Sequence, residues 1–118
     1  MNHQAASVAD VFKALGDPTR LKIMKIVLAK GNNLCVGMIA HKLDITQPAV
    51  SQHLKVLKNA GLVEANRMGF HMHYHVVENT AKKYGVAIRE ILSKIDMEIK
   101  EVENCELKGK KEKCDDLN

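Results

Sequence analysis

The stretch that decides the fold is LDITQPAVSQHLKVLKNAGLV, residues 43–63, which contains both ends of one predicted helix. Thr46 is suited to cap this helix, because a threonine oxygen can accept a hydrogen bond from a free N–H of the first turn. Pro48 fits that first turn, where its missing N–H leaves nothing unsatisfied. Gly61 is suited to end the helix, because glycine adopts the left-handed conformation without strain. The stretch therefore predicts a helix between Thr46 and Gly61.

This helix has one apolar face and one polar, basic face. Val50, Leu54 and Leu57 recur at intervals of three and four residues, which places them together on the side that packs into a core. The opposite face carries amides, a hydroxyl and cations without any acidic residue, and such groups read base edges and phosphates in the major groove. The residues of this polar face are Gln47, Ser51, Gln52, Lys55 and Lys58. The helix is therefore a candidate for reading DNA.

Three helical patterns precede this helix. The apolar stripe from Val8 to Leu15 ends at Gly16. Asp17-Pro18 predicts a cap and the first turn of a second helix, which Gly31-Asn32-Asn33 interrupts. Residues 34–43 predict a third helix, and a short turn joins it to the helix after Thr46. Two helices joined in this way form a helix-turn-helix.

A predicted β-hairpin follows, because residues 62–67 and 70–76 alternate around Met68-Gly69. A hairpin directly after a helix-turn-helix is typical of a winged helix. In the second strand one face carries Phe70, Met72, Tyr74 and Val76, and the other carries His71, His73 and His75. We expect the histidine face to be exposed or to contact phosphate. A metal ion shared by the three histidines is disfavoured, because alternate residues on one strand face lie about 7 Å apart.

The last helical pattern predicts a dimer interface. Between residues 80 and 102 apolar residues recur every three or four positions, and a chain of 118 residues has little of its own to cover so long a stripe. The expected partner is a second copy, with the first helix contributing. The expected interface residues are Val8, Phe12, Ile88, Ile91, Leu92, Ile95 and Ile99. We expect one domain over residues 1–104 and a polar, disordered tail over residues 105–118.

The distribution of charge supports an anionic partner. The net charge is +4, but residues 1–60 hold eight Lys/Arg against three Asp/Glu, whereas residues 61–118 hold ten against eleven. The positive half contains the polar helix. No apolar run approaches the roughly 20 residues of a membrane span, and residues 1–6 lack the features of a signal peptide, so we expect a cytoplasmic protein. No catalytic motif is present, so we do not expect an enzyme.

Four motifs resemble the ArsR/SmtB family of winged-helix repressors. TQPAVSQHLKVLKNAGLV (46–63) is similar to its recognition helix, ALGDPTRLKIMKIV (14–27) to its opening motif and LCVGMIA (34–40) to its third-helix entry. The Met68-Gly69 hairpin with Tyr74 resembles its wing. The resemblance implies a mainly α fold with a small β-hairpin, in the order α-α-α-α-β-β-α, that forms a homodimer. It also implies a sequence-specific repressor that an inducer releases from an inverted-repeat DNA operator.

The resemblance implies roles for residues of the polar helix. Gln47, Ser51 and Gln52 are the expected contacts to base edges. Lys55 is expected to meet a phosphate. His53 is equally suited to contact DNA and to join two helices.

The resemblance also places the wing beside the flanking minor groove or backbone. Arg67, His71 and His73 are the expected contacts there. Phe70 occupies the position after the turn glycine where many relatives carry arginine.

Three cysteines leave the inducer open. Cys35 matches the first cysteine of the family's metal-binding Cys-x-Cys pair, whereas Gly37 replaces the second. Cys35, Cys105 and Cys114 together would give three thiolates for arsenic(III) or another thiophilic ion. Cys35 and Cys105 could instead form a thiol redox switch. In the remaining alternative Cys35 is a buried apolar residue without a sensing role. None of the three alternatives requires a resident cofactor.

A second interpretation keeps the winged helix but gives its basic face a protein or RNA partner. It predicts no preference among DNA duplexes of different sequence, which distinguishes it from the repressor.

Overall fold

The computed structural model describes residues 7–30 and 34–95. The elements in these ranges are, in order, α1 (Val8–Leu15), α2 (Pro18–Lys30), β1 (Leu34–Cys35), α3 (Val36–Leu43), α4 (Gln47–Asn59), β2 (Val63–Met68), β3 (His71–Val76) and α5 (Glu78–Leu92). This arrangement confirms the predicted mainly α, winged helix-turn-helix fold. Ile99 and the predicted tail over residues 105–118 lie outside the described residues.

Helix α4 begins and ends where the sequence predicts. The side-chain oxygen of Thr46 accepts a hydrogen bond from the N–H of Ala49 at 3.3 Å. At the other end Gly61 has a positive φ of 86°. This turn lets the N–H of Leu62 donate to the carbonyl of Leu57 at 3.0 Å. Both ends of α4 are therefore satisfied by local hydrogen bonds.

The inner face of α4 is part of the main core. Val50, Leu54 and Leu57 are all buried, as predicted from their spacing. The core around them is built from buried residues of the other helices and of the sheet. Its fully buried members include Ile23, Met24, Val27, Leu34, Met38, Ile39 and Leu62. Burial of this inner face determines which side chains of α4 point to solvent.

The segment predicted as the start of the third helix is instead a strand. Leu34 and Cys35 form β1, which pairs antiparallel with β3 through Leu34 opposite Tyr74 and Cys35 opposite His73. Pairing with β3 holds this segment extended, so α3 starts only at Val36. The hairpin is therefore part of a three-stranded sheet in the order β1-β3-β2.

The hairpin turn lies one residue later than predicted. Met68 pairs with His71, so the two turn residues are Gly69 and Phe70. Gly69 has a φ of 68°, which suits a tight turn between two strands.

The buried face of β3 is the histidine face, contrary to the prediction. His71 and His73 are 6% and 1% exposed, whereas Phe70 and Met72 are 85% and 37% exposed. Cys35, which lies directly opposite His73 and therefore on the same face of the sheet, is buried with it. The expectation that His71 and His73 are exposed is therefore wrong, because both imidazoles are buried.

The predicted dimer residues divide into two groups. Ile88 and Leu92 are buried in the core of their own chain, where α5 packs against α2. This intramolecular contact already covers both side chains, and their place in a dimer interface stays a prediction. Ile95 is half-buried against the same core.

The second group of predicted dimer residues faces solvent. Val8 and Phe12 on α1 and Ile91 on α5 are exposed. Within the described residues, these three are the predicted interface residues that are exposed.

Candidate nucleic-acid interface

The outward face of α4 presents hydrogen-bond donors and acceptors to solvent. Ser51, Gln52, Lys55 and Lys58 are exposed, and Gln47 is half-buried. No acidic residue lies on α4, so its exposed side chains carry only positive charge. This combination of hydroxyl, amide and ammonium groups suits both the edges of bases and the phosphates beside them.

His53 lies where α4 meets the start of α2. Its Nδ1 atom is 3.4 Å from Nη1 of Arg20 and 3.9 Å from Oδ2 of Asp17. The Nε of Arg20 also donates to the carbonyl of Ala14 at the end of α1. Of the two roles predicted for His53, these distances favour the helix–helix contact.

Asp17 anchors this junction through its carboxylate. Its Oδ2 accepts a hydrogen bond from the N–H of Arg20 at 3.0 Å, as expected for a residue that caps α2. This backbone hydrogen bond is the largest of the effects that lower the pKa of Asp17. The ionised carboxylate thus stabilises the first turn of α2. It also faces His53, and this contact helps to hold α4 in its orientation.

The wing presents one predicted DNA contact at the surface. Arg67, near the end of β2, is exposed. At the base of the hairpin Nε2 of His75 lies 2.9 Å from Oε2 of Glu64. No acidic residue occurs between Glu64 and Glu78 in the sequence, so the outer part of the hairpin carries a cation and no carboxylate.

Two imidazoles stack inside the wing. The ring centroids of His71 and His73 are 6.4 Å apart, and the ring planes differ by 14°. Neither ring nitrogen of His73 has a hydrogen-bond partner among the described residues. Burial lowers the pKa of His73, and the nearby His71 lowers it further. The fold therefore favours neutral His73.

The stability of the domain is expected to fall as the pH decreases below about 6.5, the ordinary pKa of histidine. Because the folded pKa of His73 is lowered, the unfolded chain binds more protons than the folded chain just below this pH. The free energy of unfolding therefore decreases until the pH has passed the folded pKa. Urea unfolding of wild type and His73→Leu from pH 8 to pH 5 would measure the difference.

The expected result is a weaker pH dependence in His73→Leu than in the wild type. His41→Leu, which removes a half-buried histidine outside the hairpin, is the matched control. An identical pH dependence of the wild type and His73→Leu would contradict a role for His73.

The predicted cysteine site is represented by one residue in the described part of the chain. Cys35 is fully buried where β1 meets α3, directly opposite His73. Cys105 and Cys114 lie outside the described residues. Within residues 7–30 and 34–95, no three His, Cys, Asp or Glu side chains are placed to hold a metal ion.

Among the described helices, none has the length and apolar character that a membrane span requires.

The sequence matches a family of regulatory proteins and several of their individual members. Residues 17–65 match the family model described as bacterial regulatory protein, arsR family. A helix-turn-helix-type transcriptional regulator of Methanocaldococcus jannaschii is 44% identical over 75 residues, which cover 64% of this chain and 83% of that protein. The transcriptional repressor SdpR of Bacillus subtilis is 40% identical over 65 residues, covering 55% of this chain and 70% of the repressor.

Solved structures show the same architecture. A homodimeric winged helix-turn-helix DNA-binding domain from Mycobacterium bovis is 32% identical with a TM-score of 0.62, over 75% of this chain and 82% of that domain. The transcriptional repressor PagR of Bacillus anthracis is 30% identical with a TM-score of 0.60, over 70% of this chain and 90% of the repressor. By sequence and by fold, the chain belongs to the arsR family of bacterial regulatory proteins.

Proposed function

We propose that the protein is a homodimeric, cytoplasmic transcriptional repressor that binds an inverted-repeat operator through α4 and leaves it when an inducer binds. The observation that carries this proposal is the exposed, acid-free polar face of α4, whose opposite face is fully buried in the core. The B. subtilis and B. anthracis relatives are repressors by name, and the M. bovis domain is a homodimer.

The side chains of α4 make different kinds of contact with DNA. Gln47, Ser51 and Gln52 contact base edges, where an amide can form two hydrogen bonds to adenine. Lys55 neutralises a phosphate and contributes affinity without sequence preference. Arg67 contacts the backbone or the minor groove beside this site.

Two copies of α4 are needed to read both halves of an inverted repeat. In a two-fold dimer the two recognition helices lie about 34 Å apart, which is one turn of DNA. The exposed apolar residues Val8, Phe12 and Ile91 form the contact between the two protomers. Burying them removes apolar surface from water and stabilises the dimer.

An inducer must bind the DNA-free conformation more tightly than the DNA-bound one. Cys35 is the described residue through which a thiophilic ion or a sulfur species would act, together with Cys105 or Cys114. The buried thiol lies where β1 meets α3, so a change there reaches both the wing and the helix before α4. The alternative is an inducer that acts without any cysteine, and it predicts that Cys35→Ser still releases DNA when the inducer is added.

The replacement Gln52→Ala is expected to weaken binding to the operator by about 1–3 kcal/mol and to leave binding to random duplex nearly unchanged. The amide contributes to base reading, whereas phosphate contacts supply the non-specific affinity. The probe is a fluorescent duplex that the wild-type protein selects from a random-sequence pool, and binding is followed by anisotropy at fixed salt. Asn79→Ala, which removes an exposed amide from α5, is the control.

Equal losses on selected and random duplexes would contradict the base-reading role of Gln52. Failure of the wild type to enrich any sequence would favour the protein or RNA partner instead. Arsenite, zinc and an organic polysulfide are added to the bound complex in turn. Release by one of them that is lost in Cys35→Ser would assign this thiol to the inducer site.

A further inference from the structure

The tip of the wing carries an unusually exposed aromatic residue. Phe70 is 85% exposed, more than any other large apolar side chain in the described ranges. It is the second residue of the two-residue turn between β2 and β3. A partner that covers this ring would remove apolar surface from water, which would favour binding.

The turn places Phe70 outside the packed part of the hairpin. Strand β3 begins at His71, so Phe70 precedes the alternation that buries His71 and His73 and directs Met72 to the other face. Phe70 is not among the residues that pack against the core. The described residues therefore leave its ring open to a partner.

The surroundings of the tip point to DNA as the partner that covers it. Arg67 is exposed on the same hairpin, and the only carboxylate on its two strands, that of Glu64, is engaged by His75 at the base. Strand β2 follows α4 after a short turn and packs against it, so the hairpin is continuous with the proposed DNA-reading surface.

Distances along the hairpin favour the minor groove. Each strand has six residues and extends about 20 Å at 3.3 Å per residue. Half a turn of DNA is about 17 Å, and over that distance the face of the duplex changes from major to minor groove. With α4 in the major groove, the tip of the hairpin lies within reach of the next minor groove.

We propose that Phe70 is an apolar wedge that enters the minor groove beside the α4 site and partly unstacks one base step. This inference rests on the proposed function. Minor-groove proteins commonly insert phenylalanine in this way and recover the unstacking energy through the contacts that the kinked DNA permits.

The test uses the full-length protein and a duplex that the wild type selects from a random-sequence pool. The replacement Phe70→Ala is expected to lower affinity for this duplex about tenfold. The salt dependence of binding is expected to stay the same, because phenylalanine neutralises no phosphate. Arg67→Ala should instead reduce the slope of log affinity against log salt by about one.

A second readout reports unstacking directly. The fluorescence of 2-aminopurine rises when the base loses its stacking neighbours. We place it at successive positions that flank the selected sequence. The wild type should raise the fluorescence at one flanking step, and Phe70→Ala should not. Phe70→Leu should keep part of the effect. Met72→Ala, which shortens an exposed side chain of the adjoining strand β3, is the matched control and should change affinity less than twofold.

Other results would contradict the proposal that Phe70 enters the minor groove. Unchanged affinity and fluorescence in Phe70→Ala would exclude it, as would a loss of affinity without any rise of fluorescence in the wild type. A change in oligomeric mass on sedimentation of Phe70→Ala would assign the ring to a second copy of the chain. If the wild type selected no sequence at all, the proposed function itself would fail, whereas the other outcomes leave it standing.

Discussion

Replacement of Ile91 by glutamate is expected to convert the protein to a monomer and to lower its affinity for the operator about 100-fold or more. Ile91 is half-exposed on α5, on the flank of the helix that its own core leaves uncovered. A carboxylate buried there between two protomers would be unpaired, which is strongly unfavourable, whereas in a monomer it would be hydrated. A monomer binds each half of an inverted repeat separately and loses the gain in effective concentration.

Sedimentation at micromolar protein measures the mass, and anisotropy on the selected duplex measures the affinity. Ser93→Glu introduces the same charge two residues away, about 200° around the helix from Ile91, and should remain dimeric. Phe12→Glu on α1 should behave like Ile91→Glu, because both helices contribute to the proposed interface. A dimeric Ile91→Glu protein that keeps full affinity would contradict the assignment of this face.

Replacement of Leu57 by alanine is expected to lower the free energy of unfolding by about 2–5 kcal/mol. Leu57 is fully buried in the last turn of α4, and its carbonyl accepts the hydrogen bond that ends the helix. The substitution leaves a cavity beneath the recognition helix that the surrounding core fills only in part. Since small domains are stable by only about 5–15 kcal/mol, this loss is large.

Urea unfolding at one fixed protein concentration measures the change, because the stability of a dimer depends on concentration. Val56→Ala removes methyl groups from the neighbouring position, which is 40% exposed, and should lower stability by less than about 1 kcal/mol. Similar losses in the two variants would contradict the placement of Leu57 in the core. The Leu57→Ala protein that remains folded should still prefer the selected duplex over random DNA, because its outward face is unchanged.

Helix α4 shows what short-range chemistry can determine. Thr46 at the start of the helix and Gly61 and Leu62 after its end make hydrogen bonds to residues three to five positions away. The spacing of Val50, Leu54 and Leu57 sets the inner face, because a helix repeats every 3.6 residues whatever surrounds it. The limits of α1 and α4, the hairpin and the polar face that is the candidate DNA site could all be predicted for this reason.

The wing and α5 show what required the tertiary structure. The alternation of residues 70–76 determined which side chains share a face, yet not which face is buried. That outcome depends on the packing of distant segments, because β3 lies in the middle of the sheet and pairs with β1, a two-residue strand without a periodic pattern of its own that lies some 40 residues earlier. In the folded chain His71 and His73 are buried and Phe70 is in solvent.

The same distinction applies to the apolar stripe of α5. Its spacing showed that a helix would cover it but not whether that helix belonged to the same chain. Packing against α2 covered Ile88 and Leu92 and left Ile91 exposed. The sequence by itself determined the limits of α1 and α4 and the polar face of α4, because these depend on neighbours along the chain. Only the tertiary structure decided which faces of β3 and α5 are buried, because burial depends on contacts between distant segments.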